Sequence, residues 1–149
     1  MTSSRGSPVR PLTGYALRME PRTAKQVIVM RKDLNMRKGK MIAQGAHASL
    51  RVILEAGVPD EQRRMFTIRM SEPMAAWLTG RFTKVCVSVD SEAALDAIVE
   101  RAKLAGVPVA LITDAGQTEF HGVPTKTCCA VGPAWTADVD AITGTLSLF

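Results

Sequence analysis

Hydrophobic and polar positions along the chain fall in blocks whose period switches between about two and about 3.6 residues. The first block, KQVIVMR (residues 25–31), is almost continuously apolar and β-branched, the pattern of a strand covered on both faces. Ile42, Ala46, Ser49 and Ile53 follow as a helical stripe with Ala43 and Leu50 beside it, and Gly57 and Pro59 end that helix. Residues 60–79 read as helical, with Ser71 capping a second piece, Glu72 in its first turn and Pro73 tolerated there. KVCVSV (84–89) alternates Val85, Val87 and Val89 as a second strand. In DSEAALDAIVERAKLAG (90–106), Ser91 caps a helix whose apolar face is Leu95, Ile98, Val99 and Leu104, and Gly106 stops it. PVALIT (108–113) and TCCAVG (127–132) supply two more strands, and residues 134–142 a short last helix.

Helices between strands predict an α/β fold: a three-layer α/β/α arrangement with a mixed, mostly parallel four-stranded sheet. The connection 114–126 has no helical period, so the last strand is expected to return antiparallel. That topology has a consequence for function. The turn after the first strand, Asp114 at the end of the third and Thr127 at the start of the fourth all fall on one sheet edge. This is the edge where open α/β sheets bind ligands. Residues 1–23 mix Ser, Gly, Pro and Arg without a period and read as a flexible N-terminal tail before a domain spanning 24–149.

Composition narrows the partners. The net charge is +5 and the pI about 9.4, which suits a polyanionic partner. The three cysteines, Cys86, Cys128 and Cys129, sit in apolar strand-like runs and read as buried reduced thiols of a cytoplasmic protein. No Cys/His spacing suits a zinc site. No run approaches the roughly 18 apolar residues of a membrane span.

The chemistry concentrates in two stretches. RKGKMIAQGAHASL (37–50) gathers Arg37, Lys38 and Lys40 around Gly39 where a helix begins, although the positive end of the helix dipole disfavours cations there. An anion on the cluster would resolve the conflict. The pattern lacks G-x-x-x-x-G-K-[ST] and so is no P-loop. Lys40, Gln44 and His47 fall at i, i+4 and i+7 on one helix face. The second stretch, DAGQTEFHGVPTKT (114–127), carries Asp114, Thr118, Thr125 and Thr127, with His121 exposed. Taken alone, a K-G-K is a solvated turn and a loop aspartate a local cap. Their convergence on one sheet edge is what gives them weight.

KQVIVMRKDLNMRKGKMIAQGAHA (25–48), KVCVSVDSEAAL (84–95), LITDAGQTEF (111–120) and AVGPAW…AITGTLSLF (130–149) together resemble the archaeal/eukaryotic-type (type 2) peptidyl-tRNA hydrolases. The resemblance covers residues 25–149 in order. It implies hydrolysis of the ester joining a peptide, or an N-blocked aminoacyl group, to the 3′ end of tRNA. It implies no cofactor or metal, a peptidyl-tRNA partner rather than DNA or a membrane, and a homodimer. Carried over position by position, it makes Lys40, Asp114, Thr118 and Thr127 the catalytic set. Arg37, Lys38, Gln44, His47 and Thr125 become the tRNA-binding positions. The chain departs from the pattern at Gly45, at Gln117 and in the loop 121–126; Gly45 reads as a place of closer helix packing. Asp114 or Lys40 is the base, with Lys40 otherwise stabilising the oxyanion. A non-catalytic tRNA-binding or protein-interaction module is the alternative, and an esterase for other blocked aminoacyl-RNAs a third reading.

Overall fold

In a computed structural model describing residues 21–149, the strands and helices are β1 (Ala24–Arg31), α1 (Lys38–Glu55), β2 (Gly57–Asp60), β3 (Met65–Ile68), α2 (Glu72–Thr79), β4 (Lys84–Val89), α3 (Glu92–Leu104), β5 (Val109–Asp114), β6 (Thr125–Trp135) and α4 (Thr136–Thr143). The four-stranded sheet has the order β4-β1-β6-β5. β1 and β4 pair in parallel, while β6 runs antiparallel to both β1 and β5. Three strands thus share one direction and the last returns against them, as its non-helical connection predicts. Because β6 inserts between β1 and β5, only one of the three pairings is parallel.

Alternation along the strands splits the core into two layers. Val27, Val29, Val87, Val89, Cys129 and Val131 face α3 and α4, where Leu95, Ile98, Val99, Val139 and Ile142 close the layer. Ile28, Met30, Cys128 and Ala130 face the other way, toward Ala48 and Val52 of α1. Burial pushes the Cys128 thiol up to about 11, and Cys129 rises further for the same reason. Cys86 is exposed, so the expectation of three buried thiols holds for two. On the α1 face of β4, Lys84 lies over the Trp77 ring of α2 at 4.6 Å.

Three further sequence expectations change. Residues 57–68 form the β2–β3 hairpin, and only 72–79 of the stretch read as helical is a helix. The Asp60 carboxylate accepts from the Arg63 amide at 3.0 Å and Arg64 adopts a positive φ of 52°, which turns the chain before a second helix can start. The face of α1 on the sheet is Gln44, Gly45, Ala48 and Val52. Ile42, by contrast, is 74% exposed, and with Ala46, Ser49 and Ile53 it lines an open apolar groove of about 930 Å3 closed on its far side by Trp77, Phe82 and Phe149. Leu104, in the last turn of α3, is 88% exposed rather than part of its apolar face. The caps at Ser71 and Ser91 form as expected, each hydroxyl accepting from an amide three residues on.

The tail reading for residues 1–20 lies outside the described residues. Of the next three, Arg22 stacks over the Trp135 ring at 4.4 Å and Thr23 hydrogen-bonds Thr136 through its hydroxyl (2.9 Å) and carbonyl (2.8 Å). These two residues therefore pack on the end of β6.

Candidate active site

The first turn of α1 lies beside the C-terminal end of β5 and the start of β6. Arg37 is the N-cap residue, with extended backbone and no side-chain cap, and the first turn contains no acid. The acids come instead from the last residue of β5, Asp114, and from Glu119 in the segment that follows it. Lys40 Nζ donates to Asp114 Oδ2 at 2.6 Å and to Thr118 Oγ1 at 2.9 Å, and stands 5.7 Å from the Phe120 ring centroid. Arg37 Nε donates to Glu119 Oε1 at 2.6 Å, and the Arg37 amide reaches the other oxygen at 3.3 Å. Two of the three cations at the helix start are thus offset by the protein's own carboxylates. Lys38 is exposed and has no ion-pair partner among the described residues.

Asp114 is the centre of the arrangement. Besides Lys40, its Oδ2 accepts from Gln44 Nε2 at 3.0 Å, and its Oδ1 accepts from the Gly116 amide at 2.9 Å. Gly116 has a φ of +82°, and a Cβ there would lie 2.3 Å from the Val123 carbonyl oxygen, so only glycine makes this turn. The hydrogen bond from Lys40, helped by those from Gly116 and Gln44, holds the Asp114 carboxyl below its ordinary value against the opposing effect of burial. Glu119 is lowered too, chiefly by its bond from Arg37.

Gln44 is itself held from below. Its Oε1 accepts from the Thr127 hydroxyl at 2.5 Å, and its backbone carbonyl accepts from Cys128 Sγ at 3.3 Å. Thr127 is fully buried on β6. A continuous chain of donors therefore runs from Thr127 through Gln44 to Asp114, and fixes which end of the Gln44 amide faces the carboxylate.

Lys40, Asp114, Thr118, Gln44 and Thr127 are thus brought together, across sequence separations of 70 to 83 residues. The contacts differ from a simple clamp of two threonines on the aspartate: Thr118 meets Lys40, and Thr127 reaches Asp114 only through Gln44. Thr125 pairs opposite Asp114 in the β5–β6 register and spends its hydroxyl on the Val123 carbonyl at 2.9 Å. His47 stands off the cluster in a cleft between α1 and β5. Glu119 and Gly116 were missed in the sequence; the G in D-A-G was the available signal for the second. Gly45 does not serve close packing, since a Cβ there would sit at ordinary contact distances of 3.7–3.8 Å from Ile28 and Met30. Among the described residues no three His, Cys, Asp or Glu side chains are grouped to hold a metal ion, and no helix is long and apolar enough to cross a membrane.

Comparison with known proteins places this geometry in a context. The family model described as peptidyl-tRNA hydrolase PTH2 matches residues 24–149. A peptidyl-tRNA hydrolase of Halobacterium salinarum is 44% identical over 126 residues, covering 84% of this chain and 99% of its own. One from Methanocaldococcus jannaschii is 39% identical over 126 residues, 83% of this chain and 98% of its own. A solved structure from Agrobacterium tumefaciens, of a protein of unknown function, shares the fold with a TM-score of 0.52 at 13% identity, covering 85% of this chain and 97% of that one.

Proposed function

This chain belongs to the peptidyl-tRNA hydrolase PTH2 family, and on that premise we propose that it hydrolyses the ester between a peptide, or an N-blocked aminoacyl group, and the 3′ end of tRNA. The Lys40–Asp114 pair, held by Gln44 and Thr118 at the ligand edge of the sheet, is the observation that carries the reading. Ester hydrolysis needs a base for water and a positive group for the developing oxyanion. The pair supplies one of each. While Lys40 stays on the carboxylate, Asp114 is a poor base, because its basicity is suppressed by that bond.

The chemistry then runs as an exchange. Water adds to the ester carbonyl carbon and its proton passes to Asp114 Oδ2, as the Lys40 ammonium moves from that oxygen to the carbonyl oxygen. The tetrahedral adduct collapses, the bond to the ribose oxygen breaks, and that oxygen takes the proton from Asp114. Thr118 keeps Lys40 within reach, and Gln44 keeps Oδ2 in place when the lysine leaves. Thr127 is a positioning residue acting through Gln44. Lys38, the terminal nitrogens of Arg37, His47 and Thr125 receive the phosphates and sugar of the tRNA end.

Two coarser features complete the reading. The apolar band of Ile42, Leu78, Phe82 and Phe149 exceeds the scattered apolar residues of an ordinary surface and supports a homodimer. The three free thiols suit the cytoplasm. The deciding experiment is hydrolysis of N-acetyl-aminoacyl-tRNA with and without EDTA. Turnover in both supports the proposal, and binding without turnover gives the chain to the non-catalytic alternative. A pH–rate profile of Lys40→Arg assigns the base: an unchanged limb keeps it on Asp114, and a lost limb transfers it to Lys40.

A further inference from the structure

The ester chemistry leaves one cleft beside Asp114 without a role. It has a volume of about 320 Å3 and runs from Asp114 and Gln44 along the flank of α1, between that helix and the end of β5. Its lining mixes apolar side chains, Leu50 and Leu54 of α1 and Ile112 of β5, with polar ones, among them Thr113 of β5. The same α1 flank carries the cationic Arg51 and the imidazole of His47. Positions 40, 44, 47, 51 and 54 recur every three or four residues, so the catalytic lysine and this wall form one straight row on the helix. Leu50 and Leu54 are 57% and 42% exposed, apolar side chains facing open space.

We infer that this cleft receives the adenine of the tRNA 3′-terminal adenosine, an inference that rests on the hydrolase reading above. Whatever sits there adjoins the reacting ester, because the cleft opens at Asp114. That leaves the terminal nucleoside or the aminoacyl side chain. Every tRNA ends in the same nucleotide, whereas the side chain varies over the whole set of amino acids. A shaped cleft fits the invariant part of the substrate. Its size, at the lower end of the ~300–1,000 Å3 of small-molecule pockets, suits one nucleoside.

The lining chemistry agrees. Flat apolar walls and an imidazole or guanidinium plane are what an unstacked base packs against. Asp114 is the one acid of the lining; the Arg51 guanidinium, although its Nε bonds the exposed Glu55 at 2.9 Å, keeps its terminal nitrogens for the nucleotide. Among the described residues β5 is also an edge strand, paired only with β6. Alternate backbone N–H and C=O groups near Thr113 therefore lack a strand partner and can meet the hydrogen-bonding edge of the base.

The test compares N-acetyl-aminoacyl-tRNAs that end in adenosine, in uridine or in an abasic ribose and are otherwise identical. The full chain should cleave the adenosine form with a kcat/KM about tenfold or more above the abasic one, given the strength of base stacking. Leu54→Gln, a helix-compatible change in an exposed wall residue, should collapse that ratio toward one while leaving cleavage of the abasic substrate at the wild-type rate. Leu50→Gln is a second variant in the cleft, and because Leu50 also lines the apolar groove its oligomeric state is measured alongside. Equal cleavage of all three substrates by the wild type would overturn the inference and leave the hydrolase reading intact, as would an unchanged ratio in both variants. Failure to cleave any of the three would remove the hydrolase reading and this inference with it.

Discussion

Replacing Thr127 with valine tests whether the buried chain beneath the active site matters to the chemistry. The substitution exchanges a hydroxyl for a methyl of nearly the same shape, so the fully buried site keeps its packing. What it removes is the 2.5 Å donation to Gln44 Oε1. That oxygen is then a buried acceptor without a donor, which costs about 1–3 kcal/mol. For a domain of this size each kcal/mol lowers Tm by about 3–5 °C, so a thermal scan should show a fall of about 3–15 °C. Activity should change separately. With Oε1 unanchored, the Gln44 amide no longer has one favoured orientation, and the Asp114 carboxylate loses a fixed donor. Loss of one hydrogen bond to a charged group, about 1.5 kcal/mol at the low end, corresponds to about a tenfold fall in kcat. KM should stay near wild type, because Thr127 is fully buried and does not touch the tRNA. Thr127→Ser, which restores the hydroxyl, should recover most of kcat. A valine variant with lowered Tm and wild-type kcat would show that the chain only supports the fold. A variant unchanged in both would show that Thr127 does not hold Gln44.

Asp114→Asn should stay folded and bind tRNA, with kcat lower by about 10²–10⁴, the usual worth of general base assistance; single-turnover hydrolysis and a binding titration on the same sample check it. The depressed Asp114 carboxyl contributes stability that is present above its ordinary value of 3.8 and is lost as pH falls below that through the depressed value. The wild type should therefore lose more Tm between pH 7 and pH 3 than Asp114→Asn does, and equal losses would deny the linkage. Lys38→Ala should reduce the salt slope of tRNA binding by about one unit, while Arg37→Ala should raise KM more than it lowers kcat and shift stability by at most about 1 kcal/mol, the scale of an exposed ion pair. Gly45→Ala should raise stability by up to about 1 kcal/mol, because the added methyl meets Ile28 and Met30 at 3.7–3.8 Å; a lower Tm would show that α1 cannot accept it.

The four strands of the main sheet, their directions and the convergence of Lys40 with Asp114 were legible in the sequence because each depends on local pattern and on which end of a strand a turn follows. Two of the readings that changed show the physical reasons most directly. On α1 the apolar stripe read from the sequence is not the face on the sheet: the sheet takes Gln44, Gly45 and Ala48, while Ile42 faces an open groove. Periodicity finds an apolar face but does not say whether the chain itself covers it. In residues 57–68 a turn set by Asp60 and the positive φ of Arg64 overrode a helix-compatible composition. At the site, residue types pointed to the aspartate and lysine. They did not show that Gln44 stands between Thr127 and Asp114, because which end of an amide faces which partner is decided by the packed geometry alone.

The position of β6 between β1 and β5 governs when the enzyme can exist. The strand made last is the one that joins the two halves of the sheet, so until residue 135 is available β1 and β5 each keep an open edge. Gln44 lacks its Thr127 anchor until β6 is in place. The centre is complete only once β6 has paired, and a topology built on contacts distant in sequence favours slow folding. In a refolding experiment, recovery of hydrolysis should coincide with the fluorescence change of Trp135 at the end of β6. A nascent chain arrested before Thr125 should hold α1 and β5 and hydrolyse nothing.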